Sequence, residues 1–168
     1  SYSGITSFTW NTASTRAQGF DLSLTSRIID KQFKWTLHNF HSHIKEKVND
    51  YEITGAAINY LQRGMGIGSL LPIPLSGRPL YAIYSLPYVG LDPDTGAPVG
   101  ILDGEPSMNY NSIVSTTSPE DLTYHGAARP THFGSFRNDF SYKGFGLSMN
   151  ITYRLGYYYR RNSVRYSS

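Results

Sequence analysis

The chain's densest group of potential metal ligands is His38, His41 and His43, in the string HNFHSH. His41 and His43 share a face at i, i+2 on an extended strand, and paired imidazoles can hold zinc. No Cys exists anywhere to complete a site, no nearby acidic ligand completes it either, and Trp35 and Leu37 occupy the same face. Polar residues near a strand end are the preferred reading, and no metal is expected. Asp92-Pro-Asp-Thr-Gly96 supplies two carboxylates and a turn glycine, part of a calcium-loop pattern. The closing Glu of such a loop is missing, and an Asx-type turn needs the same residues. Gly64, Gly66 and Gly68 lack the lysine and the preceding strand of a phosphate cradle, so a loop is expected there. Asn150-Ile-Thr152 matches a glycosylation sequon, but a bacterial barrel strand would stay unmodified. No nucleophile, base and acid fall at a spacing that catalysis would demand. No catalytic residue, no cofactor and no enzyme activity are expected.

Two other groups suit binding rather than catalysis. Tyr81, Tyr84, Tyr88 and Tyr110 stand among Ser, Asn and Asp. Aromatic faces with planar polar groups suit sugar rings, and Tyr also suits protein interfaces. Packing of this region on itself or on a covering protein is preferred over direct substrate contact. Arg137, Asp139, Asn150 and Arg154 take the polar positions of two alternating segments. They are candidates for the lining of a lumen.

Those segments are the clearest structural signal in the chain. From Phe145 to Tyr159 every odd position is apolar or aromatic, and Gly146, Ser148, Asn150, Thr152, Arg154 and Gly156 fill the even ones up to 156. Successive strand residues point to opposite faces, so one side is continuously apolar. With Lys143-Gly144 as a type I′ loop, Tyr142, Phe140, Asn138 and Phe136 oppose Phe145, Leu147, Met149 and Ile151. The other face collects Ser141, Asp139, Arg137 and Ser135 against Gly146, Ser148, Asn150 and Thr152. An earlier hairpin joins Gly19–Ile29 to Phe33–Ile44 about Lys31-Gln32, setting Ile28 against Trp35 and Ser26 against Leu37. Phe40 is out of phase there, which suggests a bulge. Each strand reaches the ~9–11 residues that cross a bilayer at a barrel's tilt.

All nine prolines lie between Pro72 and Pro130. Proline is kept out of sheet interiors, so the chain divides into a hairpin (19–44), a long excursion (49–131) and a second hairpin (132–160). A short helix near Thr54–Gln62 is expected inside the excursion. Charged residues make up only 16% and aromatics 14%, with fourteen Tyr, a balance that suits many-stranded β structure and membrane interfaces. No apolar run approaches the ~18 residues of a spanning helix. The formal net charge of +3 is too small to argue for nucleic acid. The reading is all-β: antiparallel hairpins forming part of a transmembrane β-barrel wall, with a long extracellular loop. The turns at Lys31 and Lys143 would face the periplasm and the excursion the outside. Tyr157, Tyr158 and Tyr159 read as interfacial girdle. Arg160, Arg161 and Arg165 suit either lipopolysaccharide phosphates or a solvated loop start.

Trp10-Asn11-Thr-Ala and Gln18-Gly-Phe-Asp-Leu-Ser-Leu24 resemble the segment entering a late barrel strand of TonB-dependent outer-membrane transporters. Tyr88-Val-Gly-Leu-Asp-Pro-Asp-Thr-Gly-Ala-Pro98 is similar to a loop of the SusC/RagA family. So is the stretch from Arg129-Pro-Thr-His-Phe-Gly-Ser-Phe136 through Phe145-Gly-Leu-Ser148 to Leu155-Gly-Tyr-Tyr-Tyr-Arg-Arg161. Gly146 stands where that family usually carries an acidic residue. The resemblance implies a late portion of a larger barrel with an N-terminal plug, in the outer membrane of a Gram-negative bacterium. It implies import of oligosaccharides or peptides energised by TonB, through parts of the parent outside this chain, under a SusD-like lipoprotein lid. Outer-membrane lipid would be its solvent. The rival is a soluble carbohydrate-binding β-sandwich, which also alternates faces. A sandwich of this size wants about seven short strands at turns every 8–12 residues, against four strands and one large gap here.

Overall fold

The computed structural model describes residues 13–51, 55–62 and 73–160. The Gly64–Gly68 stretch, Arg161 and Arg165 lie outside them. In chain order the elements are β1 (Ala13–Asp30), β2 (Phe33–Tyr51), α1 (Ala57–Gln62), β3 (Ala82–Ser85), β4 (Tyr88–Leu91) and β5 (Pro98–Leu102). There follow β6 (Glu105–Ser107), α2 (Tyr110–Thr116), a 3-10 turn (Pro119–Asp121), β7 (Thr123–Ala127), β8 (His132–Tyr142) and β9 (Phe145–Leu155). The fold is all-β, with every strand pair antiparallel.

The principal sheet has the order β1-β2-β8-β9. Its second hairpin follows the periodicity: Tyr142 pairs with Phe145, Phe140 with Leu147, Asn138 with Met149 and Phe136 with Ile151. Lys143 and Gly144 both adopt positive φ, 47° and 86°, the geometry whose twist matches the flanking strands. Two apolar-faced hairpins gain by placing those faces side by side, and β2 pairs with β8 from Phe33–Tyr142 to His43–His132. Both tight turns therefore lie at one end of the sheet and the excursion at the other.

The first hairpin departs from expectation in three ways. Its strands extend to Ala13 and Tyr51, so β2 takes residues 49–51 from the expected loop. Ser26 meets Leu37 as expected, but a register shift between Arg27 and Ile29 sets Ile29, not Ile28, against Trp35. Phe40 needs no bulge: it pairs in register with Ser23 and Ser135, an aromatic on the polar face. Short-range alternation could not show this, because Phe40 keeps its place through neighbours on two other strands. In the second hairpin, strand pairing stops at Leu155, short of Tyr159.

Gly134 marks a close approach. A Cβ there would collide with the Phe40 carbonyl and lie 2.6 Å from the Tyr153 hydroxyl, so the bare glycine lets the Tyr153 ring lie across the sheet. The hydroxyl comes within 2.6 Å of His41 Nδ1.

The excursion is folded rather than open loop. β3 and β7 form a two-stranded sheet, and β4-β5-β6 a three-stranded meander. Pro98 opens β5 and Pro106 sits on the edge strand β6, the places where a missing N–H does least harm. Ala57, Tyr60, Tyr84 and Leu122 are buried together, with Leu61, Ile73, Leu75 and Tyr124 around them. The Tyr60 and Tyr84 rings meet edge to face at 5.8 Å, a favoured aromatic geometry. Asp92 nucleates the expected turn, its Oδ1 accepting from the backbone N–H groups of Asp94 and Thr95 at 3.2 and 2.8 Å. The same oxygen accepts from the Thr95 hydroxyl at 2.7 Å, and these bonds hold the Asp92 carboxyl below its usual range.

Beyond the end of β8, β2 continues and the excursion docks on it. Val48 N–H donates to Arg78 O at 2.9 Å, Gly77 N–H donates to Val48 O at 2.8 Å, and Val48 is fully buried. Burying such a side chain stabilises by about 1.5–3 kcal/mol. At the far edge Tyr158 N–H donates to Ala127 O at 2.8 Å. Tyr158 is thus tied by its backbone to the folded excursion, with its ring beside Gly126 and half exposed.

Candidate functional site

The two faces of the principal sheet differ sharply. On one, Phe145 is 81% exposed, Leu147 65% and Met149 47%. Ile151 on the same strand, Phe136 on β8 and Phe20, Leu22 and Leu24 on β1 extend this exposed apolar surface, which Asn39, His41 and His43 on β2 and His132 and Asn138 on β8 interrupt. On the other face, Thr25, His38, Arg137 and Asn150 form one row across all four strands, with Arg27, Thr36, Asp139 and Ser148 beside it. Arg137, Asp139, Asn150 and Arg154 do share this polar face.

Asp139 is the hub of that face. It accepts from Arg137 at 2.9 Å and from the Ser148 hydroxyl at 2.6 Å, and lies 3.0 Å from His38 Nε2. His38 Nδ1 is in turn 3.0 Å from the Thr25 hydroxyl. The hydroxyl–imidazole–carboxylate order has the outline of a nucleophile relay. Its carboxylate is shared with a guanidinium and a second hydroxyl, and the interior strands β2 and β8 spend their N–H groups on ladders to both sides. The arrangement suits a fixed polar lining better than chemistry. Arg137 and Asn150 also border a shallow hollow of about 260 Å³ on this face.

The larger feature is a cleft of about 780 Å³ where the loop domain meets the wall, within the range of ligand pockets, about 300–1,000 Å³. Its walls are the extension of β2 beyond His43, the Gly77–Pro79 turn, the end of β7, and Phe133 with Arg154 from the polar face. Lys45, Lys47, Arg78, Arg129 and Arg154 border it, with Glu46 as the one acid. Among the described residues the ion pairs are Arg27–Asp30, His38–Asp139 and Arg137–Asp139, so none engages a cation of the cleft. The Arg78 guanidinium lies 4.5 Å over the Tyr124 ring, and that of Arg129 3.4 Å over Tyr81. Such cation–π contacts orient the planar groups without neutralising them. Burial raises the Tyr124 hydroxyl above its ordinary pKa, and Arg78 partly offsets this.

The four tyrosine candidates separate. Tyr84 is a core residue, 4% exposed, and burial pushes its hydroxyl up to about 12. Tyr81 carries Arg129 near the cleft. Tyr88 and Tyr110 are 61% and 46% exposed, the latter donating to Pro98 O at 2.9 Å. Arg160 also differs from either expectation, since its guanidinium donates to the carbonyls of Leu61 and Tyr84 inside the loop domain. Its partial burial lowers its pKa from the ordinary value. Of the cleft's cations the sequence reading selected only Arg154. Its faint signal was a repeated dipeptide, Arg78-Pro79 and Arg129-Pro130, because a following proline holds the arginine backbone extended.

No protein-family model matches the chain, and no curated protein matches it. Among solved structures it is similar to a chain in the structure of the RagAB peptide transporter, with 19% sequence identity and a TM-score of 0.58. That likeness covers 87% of this chain and 15% of the other. It shows the fold, in one portion of a much longer molecule.

Proposed function

We propose that this chain supplies barrel wall and an extracellular loop domain to a SusC-like, TonB-dependent importer of oligosaccharides or peptides in the outer membrane. The observation that carries the reading is the exposed, largely apolar face of the four-stranded sheet, backed by a polar face and ending at two open edges. Asn39, His41, His43, His132 and Asn138 interrupt that face on β2 and β8. In water, long open edges and an uncovered apolar face invite aggregation. Closure with further strands in a bilayer removes both liabilities. Four strands cannot close alone, since small barrels need about eight. The face bearing Arg137, Asp139, Asn150 and Arg154 then lines the lumen, and the loop domain caps the external side. The neighbour's description as a peptide transporter favours peptides of the two substrate classes. A SusD-like lipoprotein covering the loop domain, and TonB acting through other parts of the parent, complete the assembly. The rival sandwich needs a second sheet across the apolar face, and among the described residues Leu147 and Met149 are instead exposed.

Fractionation of cells making the full-length parent tests this. The expected result is recovery with outer membranes and release only by detergent. A monodisperse protein in detergent-free buffer would overturn it.

A further inference from the structure

We propose that the cleft between β2 and the loop domain is a binding site for carboxylate-bearing oligomers, either acidic peptides or uronate-containing oligosaccharides. As a substrate assignment this rests on the importer reading above; the binding itself is measured separately.

Five cations border one volume with a single carboxylate, Glu46, among them. A surface built only for solubility would intersperse the two signs. The nearest acid on the polar face, Asp21, shares a row with Phe133 and Arg154 but lies two strands from Phe133 on β1, where it accepts from the Ser42 hydroxyl. Asp139, three rows away, is engaged by Arg137, His38 and Ser148. Arg78 and Arg129 are held from two sides, each by an aromatic ring beneath the guanidinium and a proline following in the chain. Less side-chain freedom is then lost when a carboxylate arrives, which is how preorganised sites gain affinity. Arginine's planar fork suits the two oxygens of that group. The lysines contribute mobile point charges from the extension of β2, the Lys47 side chain passing close to Gly77. Position adds a further argument. Arg154 and Phe133 pair on β9 and β8 and belong to the polar face, two rows from Asn150 and Arg137. An anion held in the cleft therefore sits at the head of a polar track that carries a second arginine further along.

The test uses the full-length parent in detergent micelles. Four fluorescent probes are titrated: a pentaglutamate peptide, its pentaglutamine counterpart, a galacturonate oligomer, and a neutral galactose oligomer of equal length. The expected result is about tenfold tighter binding of at least one acidic probe than of its neutral counterpart in dilute buffer, shrinking in 1 M salt, where screening acts within about 3 Å. Which acidic probe shows the preference identifies the source of the carboxylate. Arg78→Gln with Arg129→Gln should erase most of that difference. Because those arginines also stack on tyrosines, Lys45→Gln with Lys47→Gln is the second variant. Its side chains are exposed, and it should weaken the acidic probe several-fold. Equal affinity for acidic and neutral probes, or unchanged preference in both double variants, overturns the proposal. Outer-membrane fractionation is scored on the same preparations. A membrane-inserted protein without acidic preference removes this site and leaves the importer, whereas a detergent-independent protein removes the importer.

Discussion

Tyr84 carries a consequence that its sequence neighbourhood did not announce. Among Ser, Leu and Pro it reads as one of four loop tyrosines for which packing is preferred over substrate contact, with nothing to single it out; in the structure it is one of the four buried residues of the loop domain's core. Burial raises its hydroxyl from the ordinary 10.0 to about 12. The folded chain thus keeps a proton that the unfolded chain gives up in between. The stabilisation is complete below pH 10 and is lost as pH rises from about 10 through about 12. Protease cleavage of the loop domain should accelerate across that interval, and Tyr84→Phe should flatten the rise. A Tyr84→Phe protein with the same alkaline profile would show that other groups set it. The histidines teach a related lesson. That His41 and His43 share a face was legible at i, i+2. That His132 would stack on His43 at 4.2 Å, and Tyr153 reach His41, depended on pairing across about a hundred residues.

At the scale of elements, the second hairpin was the most legible part of the chain. Strict alternation and a loop glycine together leave one register, because any one-residue slip exposes every wrong side chain at once. The first hairpin was less legible at Ile28 and Phe40, where a bulge and an aromatic on the polar face break the alternation. The pairing of β2 with β8 left no local signal at all. In the proposed barrel, adjacent residues of β9 face opposite solvents, so they should respond oppositely to charge. Met149→Arg should cost about 2–4 kcal/mol near the bilayer midplane, and Asn150→Arg much less. Urea titration of the folded, membrane-reconstituted parent measures both. Equal costs would contradict the assignment of faces.

For the whole molecule, proline placement set the excursion apart from the long sheet strands but concealed that it folds. Its strands have three to five residues each, too short for a periodicity of two to stand out. Its core joins residues as distant as Ala57 and Leu122. The cleft was illegible for the same reason: Lys45, Arg78, Arg129 and Arg154 come from four separate stretches and converge only when the loop domain docks on β2. On the proposed reading, docking and barrel wall belong to one arrangement, in which the apolar face would meet hydrocarbon and the polar face a water-filled interior.

Site-directed fluorescence tests that arrangement most directly, helped by the absence of cysteine from this chain. Single variants Leu147→Cys, Ser148→Cys, Met149→Cys and Asn150→Cys, labelled in an otherwise cysteine-free parent, are reconstituted in vesicles with brominated acyl chains. Labels at 147 and 149 should be quenched by the lipid and shielded from aqueous iodide, and those at 148 and 150 should show the reverse. Quenching without alternation, or iodide reaching all four sites equally, would contradict the account.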